Sequence, residues 1–203
     1  MRSVILQMFV SVDGNAAAAD GAVDFVPTAN AGDLSFARRQ LAFLSSIDTI
    51  LLGRVTYEMF SRHWPRVTSG EEKEFADALN ALPKIVFSRT LESAPWGNWD
   101  AAKVVKENAA EEVARLKKSS GKDIVIWGSL SLAQMLMKER LIDEYQLLVC
   151  PVVLPGGVPL FRDKADAQRL TLLATKSFDQ GTVLLAYKPA RTPHNNQMTS
   201  KRP

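Results

Sequence analysis

The chain alternates short apolar runs with stretches that are apolar every third or fourth residue. Ser3–Val12 is nearly continuous Val, Ile, Leu, Met and Phe and stops at Asp13-Gly14. It reads as a buried first strand, β-branched and too short for a lone helix. Asn15–Ala31 is rich in Ala, Gly and Asp and holds Pro27, which predicts a long loop of the kind that binds ligands more often than it merely connects. Leu34, Ala37, Leu41 and Leu44 then recur at helical spacing behind Asp33, a suitable N-cap.

Further on, Asp48–Leu52 predicts a second strand that ends at Gly53, followed by a turn or two of helix over Val55–Phe60, broken by His63-Trp64-Pro65. Ser69 and Glu72 have capping-box spacing and predict a helix to about Asn80. Lys84–Phe87 and Lys103–Val105 read as strands, with a turn over Pro95–Asp100 between them that contains Trp96 and Trp99. Asn108 and Glu111 begin a polar helix to Lys118 that Gly121 closes. Asp123–Trp127 is a strand ending at Gly128, Leu130–Glu139 a helix, and Glu144–Val153 a long strand that Pro151 makes irregular or places at an edge. Leu154–Gly157 turns the chain, and Leu170–Phe178 with Thr182–Lys188 flank Asp179-Gln180-Gly181 as a hairpin. Strands alternate with helices and end in an antiparallel pair. That order predicts an α/β sandwich, a mostly parallel twisted sheet with helices on both faces and an antiparallel edge.

Composition narrows the function classes. The chain has 203 residues and 46% apolar content, enough for one substantial core. Its net charge of +3 resides in residues 189–203, where Arg191, Lys201 and Arg202 stand without an acid. The remaining cations equal the carboxylates, 22 of each, so the body is neutral and does not predict a nucleic-acid binder. A single cysteine, Cys150, excludes an intrachain disulfide framework and reads as inert core. With only His63 and His194 beside it, no structural metal site is expected. There is no apolar stretch of about eighteen residues for a membrane span. The amino-terminal run lacks a small-residue cleavage site, so a cytoplasmic protein is expected.

Two segments share a design: Ile50-Leu-Leu-Gly53-Arg54-Val55-Thr56 and Val125-Ile-Trp127-Gly128-Ser129-Leu130-Ser131. In each a buried strand ends in glycine and a helix starts at once. Free N–H groups and a partial positive charge at a helix N-terminus suit a phosphate, and glycine lets it approach the backbone. Arg54 adds a full charge and a two-pronged donor. Two such ends on one sheet edge can hold both sides of a pyrophosphate, although glycine between strand and helix also serves turn geometry alone. Ser88-Arg89 ends the third strand and can grip an isolated phosphate; an exposed turn is the plainer alternative. Neither G-x-G-x-x-G nor a Walker-type loop is present.

Gly53-Arg-Val-Thr-Tyr-Glu58 resembles the G-R-x-T-[WY]-E signature of the dihydrofolate reductase fold. Ser11-Val-Asp-Gly14 is similar to the S-[LV]-D-G motif of the riboflavin-biosynthesis reductase domain, and Trp127-Gly-Ser129 before a leucine-rich helix to that family's G-S-x-x-L segment. Leu141-Ile-Asp-Glu-Tyr145, Pro151–Gly157 and Pro159-Leu-Phe161 resemble its L-[IV]-D-E … P-V-x-L-G-x-G-x-P-L-F stretch, with Pro155 standing where that pattern has a glycine. The matches run in order across Ser3–Lys188.

The resemblance implies a dihydrofolate reductase-like three-layer sandwich over residues 1–188, followed by a disordered basic tail, residues 189–203. It implies an NADPH-dependent reductase of a small heteroaromatic or sugar-linked substrate, and a homodimer formed through the sheet edge or Glu144–Val153. Carried over by position, Gly53, Arg54, Val55 and Thr56 meet cofactor phosphates and Ser88 with Arg89 surrounds the 2′-phosphate. Trp127, Gly128, Ser129 and Leu130 line the pyrophosphate, and Val10 with the Asp13 loop lies by the nicotinamide. Phe36, Trp64 and Asp13 are candidates for the substrate. Asp33 and Asp13 are the candidate catalytic acids, with an N-cap and an Asp-Gly turn as their plainer roles. Counting back from Gly53 puts the folate reductases' acid at Ala37, which speaks against folate. A ligand-binding module that keeps the fold and has lost catalysis is the alternative.

Overall fold

A computed structural model of the chain describes residues 1–162 and 168–190. Most of its helices and strands follow from the apolar periods of the sequence. The first strand, β1 (Val4–Ser11), is buried on both faces because helices cover the sheet on either side. The chain continues through β2 (Asn15–Ala17), α1 (Phe25–Asn30), α2 (Leu34–Leu44), β3 (Ile47–Gly53) and α3 (Arg54–His63). After a 3-10 turn over Trp64–Arg66 come α4 (Lys73–Ala81), β4 (Lys84–Phe87), β5 (Lys103–Val105), α5 (Ala109–Lys118), β6 (Asp123–Trp127) and α6 (Leu130–Lys138). The last elements are β7 (Glu144–Cys150), β8 (Val158–Pro159), β9 (Leu170–Ser177) and β10 (Val183–Pro189).

The main sheet has the order β5-β4-β3-β6-β1-β7-β10-β9. Strands β5 to β7 in that row run parallel, and β10 and β9 are antiparallel. One face of β1 presents Val4, Leu6, Met8 and Val10 to a core shared with Val113 and Leu116 of α5 and Leu132, Ala133 and Leu136 of α6. On the opposite face Ile5 joins Phe43 and Leu44 of α2, Tyr57 of α3, Leu79 of α4 and the fully buried Trp96. The molecule is thus helices, sheet, helices, the expected α/β sandwich. Among the described residues no helix is long and apolar enough to cross a membrane.

Several boundaries differ from the sequence reading, each for a physical reason. Asn15–Ala31 is not one loop: β2 pairs with β8, and α1 forms a short helix ahead of α2. α3 begins one residue earlier and runs three residues longer than the Val55–Phe60 turn expected, with Arg62 in its last turn, where a cation favours the helix C-terminus. The capping box at Ser69 does not form. Gly70 takes φ +83° and turns the chain, and α4 starts only at Lys73 with no side-chain cap. α5 ends at Lys118 with Ser119 as its C-cap, ahead of Gly121. β7 stops at Cys150, because the chain folds back with Val152 N–H donating to the Cys150 carbonyl at 2.8 Å. Pro189 belongs to β10; residues 191–203 of the expected tail lie outside the described residues.

Candidate cofactor and substrate site

β3 and β6 are neighbours, with Leu51 opposite Ile126, so their carboxyl ends lie side by side. β4 is the next strand, and Gly53 faces its last residue, Phe87. One sheet edge therefore carries Ser88-Arg89, Gly53-Arg54 and Gly128-Ser129 in a row. α3 starts directly behind Gly53 and α6 directly behind Ser129, and neither has a capping side chain. Asp33 and Asn108 do cap α2 and α5. Uncapped first-turn N–H groups are available hydrogen-bond donors, and here two sets of them sit together.

The two turns are tied to each other. Ser129 N–H donates to Thr56 Oγ1 at 2.9 Å, and Ser129 Oγ accepts from Gly53 N–H at 2.7 Å while donating to the Trp127 carbonyl at 2.9 Å. Gly128 has φ +51°, and a Cβ there would stand 3.1 Å from Thr56 Oγ1. Glycine is needed at that position both for its backbone angle and for the close approach.

Charge at this edge comes from exposed side chains. Arg54 Nη1 lies 2.9 Å from Glu58 Oε1, an exposed pair one helical turn apart that holds the guanidinium only weakly. Arg89 is exposed, beside a turn in which Ser88 Oγ accepts from the N–H groups of Thr90 and Leu91, each at 3.2 Å. Val55 is 69% exposed in the first turn of α3, an apolar surface beside Arg54. The Thr56 hydroxyl is buried, and the Trp127 indole packs among Phe43, Phe60 and Phe75 with its Nε1 donating to Gln7 Oε1 at 2.8 Å. Only the backbone of Trp127 reaches the edge.

β1 shapes the adjoining crevice. β6 pairs with it only from Val4 to Gln7, whereas β7 follows it to Ser11. Met8–Ser11 therefore rises past the end of β6, and Val10 is buried on the α6 side of that wall. On the α2 side, Phe36 packs tilted against Phe9 and edge-to-face with Phe178, at centroid distances of 5.8 and 5.2 Å. Phe9 and Phe36 are half-buried, an aromatic surface beside the wall. Trp64 belongs to a different cluster, against Phe60 and Phe75, so the structure does not bring it together with Phe36.

Each candidate acid already accepts three hydrogen bonds. Asp33 caps α2 through Phe36 N–H at 2.8 Å, accepts from the Ser35 hydroxyl, and reaches across to Gln180 N–H at 2.7 Å in the β9–β10 turn. Burial pushes its carboxyl up, but the Gln180 and Phe36 N–H groups outweigh that and hold it below the usual range. Asp13 accepts from the Ser11 hydroxyl at 2.5 Å, from Leu154 N–H and from the Asn15 amide, which ties the loop after β1 to the loop after β7. The Ser11 hydroxyl and the Leu154 N–H lower its pKa as well. Each carboxylate is ionised and anchoring at neutral pH.

One polar feature had no signal in the sequence. Gln7, in the middle of β1's apolar run, donates to Gln146 Oε1 at 2.9 Å and accepts from the amide of Gln40 at 2.8 Å. The three glutamines are buried between α2 and the sheet, level with Trp127.

The RibD C-terminal domain model matches residues 2–184. The uncharacterized protein YyaP of Bacillus subtilis (strain 168) is 34% identical over 187 residues, covering 92% of this chain and 94% of that protein. A Shewanella sp. PV-4 protein named for riboflavin biosynthesis shares the fold at a TM-score of 0.71, with 24% identity, over 93% of this chain and 99% of its own. Acinetobacter baumannii RibD superposes at a TM-score of 0.67 with 18% identity over 94% of this chain, which spans 58% of that longer protein. The sheet order, the paired strand ends and these matches agree: the chain belongs to the RibD C-terminal domain family and has its dihydrofolate reductase-like fold.

Proposed function

We propose that this protein is an NADPH-dependent reductase that delivers hydride to a small heteroaromatic or sugar-linked acceptor. The observation that carries the reading is the sheet edge on which two uncapped helix N-termini, Arg54 and Arg89 lie in one row. That donor set fits a dinucleotide with an extra phosphate: converging N–H groups for a pyrophosphate, and separate guanidinium groups for further charge. A pyrimidine reductase-like protein of Corynebacterium diphtheriae has the same fold at a TM-score of 0.62, which favours a pyrimidine-type acceptor.

In this reading Arg54 and the first turns of α3 and α6 hold the pyrophosphate, and Ser88 with Arg89 holds the 2′-phosphate. The Met8–Ser11 wall flanks the nicotinamide, from which bound NADPH supplies the hydride. Phe9 and Phe36 offer a face on which a flat acceptor stacks. Asp13 and Asp33 keep the surrounding loop and α2 in place. The edge strand β9, which has no outer neighbour among the described residues and has Leu172 51% and Leu173 45% exposed, supports a homodimer, since an open apolar edge invites a second strand.

Arg89→Ala is expected to weaken NADPH about tenfold or more and leave NADH nearly unchanged, the effect of removing a charge-assisted contact to one phosphate. Arg54→Ala is expected to weaken both cofactors alike, about fivefold. Fluorescence titration with both cofactors reads the two outcomes. Unchanged NADPH affinity in both variants would reject the phosphate assignment.

The anchoring hydrogen bonds that hold both carboxylates ionised favour a second reading, an NADP(H)-binding module without turnover. NADPH oxidation with pteridine and pyrimidine acceptors separates the two: tight binding with no oxidation on any acceptor would establish the module.

A further inference from the structure

We propose that Ser129 and Thr56 are positioning residues, which bolt the N-termini of α3 and α6 together so that a pyrophosphate meets both at a fixed spacing. The inference rests on the reading of this edge as the NADPH site. It also redistributes the donors there, because the N–H groups of Gly53 and Ser129 are consumed by the bolt. Those left for the ligand belong to the first turns of α3 and α6, Arg54 and Val55 on one side and Leu130 and Ser131 on the other.

The ladder between β3 and β6 stops short of the two turns. Backbone pairing ends at Leu51 opposite Ile126, and at Gly128 and Ser129 the chain turns away with φ of +51° and +55°. Gly53 lies beyond the paired stretch of β6. The Ser129 side chain supplies the missing rung, accepting from Gly53 N–H at 2.7 Å and returning its own proton to the Trp127 carbonyl at 2.9 Å. Thr56 closes the ring from the other side by accepting Ser129 N–H at 2.9 Å. Two short hydrogen bonds thus join residues 73 and 76 positions apart in sequence, and a third orients the serine hydroxyl.

Ser129 also pays a conformational penalty that glycine would avoid, because its φ is in the left-handed region. Its hydroxyl is the one part of the side chain that makes these bonds, and its Cβ stands 3.6 Å from where a Cβ on Gly53 would be. The result is a rigid double anchor, which matters because a pyrophosphate binds two donor sets tightly only when their separation is set beforehand.

The test pairs amide exchange with cofactor titration. In the ligand-free protein, Ser129→Gly is expected to speed exchange of the Gly53 N–H about tenfold. It should raise the NADPH Kd by a similar factor, the effect of losing bonds of ordinary strength. The thermal midpoint should stay close to wild type, since glycine relieves the positive φ. Thr56→Val keeps the volume and loses the acceptor, so it should weaken NADPH. Thr56→Ser keeps the acceptor and should bind nearly as wild type does. This second pair decides the matter if Ser129→Gly folds poorly.

Unchanged exchange at Gly53 in Ser129→Gly would show that the bolt does not exist in solution. Faster exchange with an unchanged Kd would deny it a positioning role, as would Thr56→Ser binding no better than Thr56→Val. A wild type that binds no NADPH would overturn the cofactor reading itself, and the exchange arm would still decide whether the bolt forms.

Discussion

Replacing Arg2 by methionine is expected to lower folding stability by about 3 kcal/mol, the scale of breaking a buried ion pair by removing one partner. Arg2 is buried at the end of the sheet opposite the cofactor edge, where its guanidinium joins three parts of the chain. Nε donates to the Lys122 carbonyl at 2.6 Å, Nη2 to Thr49 Oγ1 at 2.7 Å and to the Asp48 carboxylate, and Nη1 to Ser119 Oγ. The second oxygen of Asp48 accepts Lys122 N–H at 2.8 Å, so the carboxylate bridges the start of β3 to the turn before β6. A Cβ on Gly121 would fall 2.5 Å from that same oxygen, so the turn packs closely against the carboxylate. Methionine retains the length of the stem but leaves the Lys122 carbonyl and Thr49 hydroxyl without their donor. The Asp48 side chain is 35% exposed, so water softens the loss and keeps it at the lower end of the range for such pairs. Urea unfolding should show a lower midpoint with an unchanged slope. A midpoint within about 0.5 kcal/mol of wild type would mean that the cluster is solvated in solution and holds nothing together.

The cluster around Arg2 also shows which parts of this molecule a sequence can disclose. Asp123–Trp127 and Lys103–Val105 were legible to the residue, because each is a short β-branched run bounded by turn formers. The cap at Asn108 and the cap at Asp33 were legible for the same local reason. The strand β2 was not: its Asn-Ala-Ala has no strand character, and it is held by β8, whose neighbour Gly157 packs so closely that a Cβ would fall 2.6 Å from the Ala17 carbonyl oxygen. The Ser69 box failed in the opposite sense, a correct local pattern overridden by the turn at Gly70.

The candidate site divides in the same way. Both glycine-ended strands and Arg54 were visible as motifs, since the strand-to-helix turn is a local arrangement. That Thr56 faces inward and that the Trp127 indole is core were not visible, because each depends on a partner from another element. Asp33 is the instructive residue. Its position before a helix predicted the cap, but nothing local pointed to Gln180, which takes the carboxylate's second oxygen from 147 residues away. A basic composition also proved uninformative about the site, because the excess charge belongs to residues outside it.

Between pH 7.5 and 10, wild type is expected to gain about 2 kcal/mol of stability relative to Lys84→Met, and the source is a buried ammonium. Lys84 is 5% exposed in β4, with Nζ donating to the carbonyls of Asn80 and Leu82 at 2.6 Å each and standing 4.6 Å from the centre of the Trp96 ring. Burial brings its pKa down from 10.5 to about 8, although Asp100 acts in the opposite direction. The folded pKa is the lower one, so between about 8 and 10.5 the unfolded chain holds a proton that the folded chain has released. Stability therefore rises with pH across that window and is flat below it, where both states are charged. Wild type alone will not display the rise cleanly. Burial raises the Cys150 thiol above 9.0 and the Tyr57 and Tyr145 hydroxyls above 10.0, and each of these makes folding less favourable as pH climbs through its ordinary value. Those opposing groups are common to both proteins, so the difference between them isolates Lys84. Methionine keeps the stem packed against Trp96 and has nothing to titrate. Denaturant unfolding of both proteins at intervals through this range should give curves that diverge. Parallel curves would place the ammonium in water rather than against Trp96, because only a group that pays for burial in its charged form can return that energy on losing its proton.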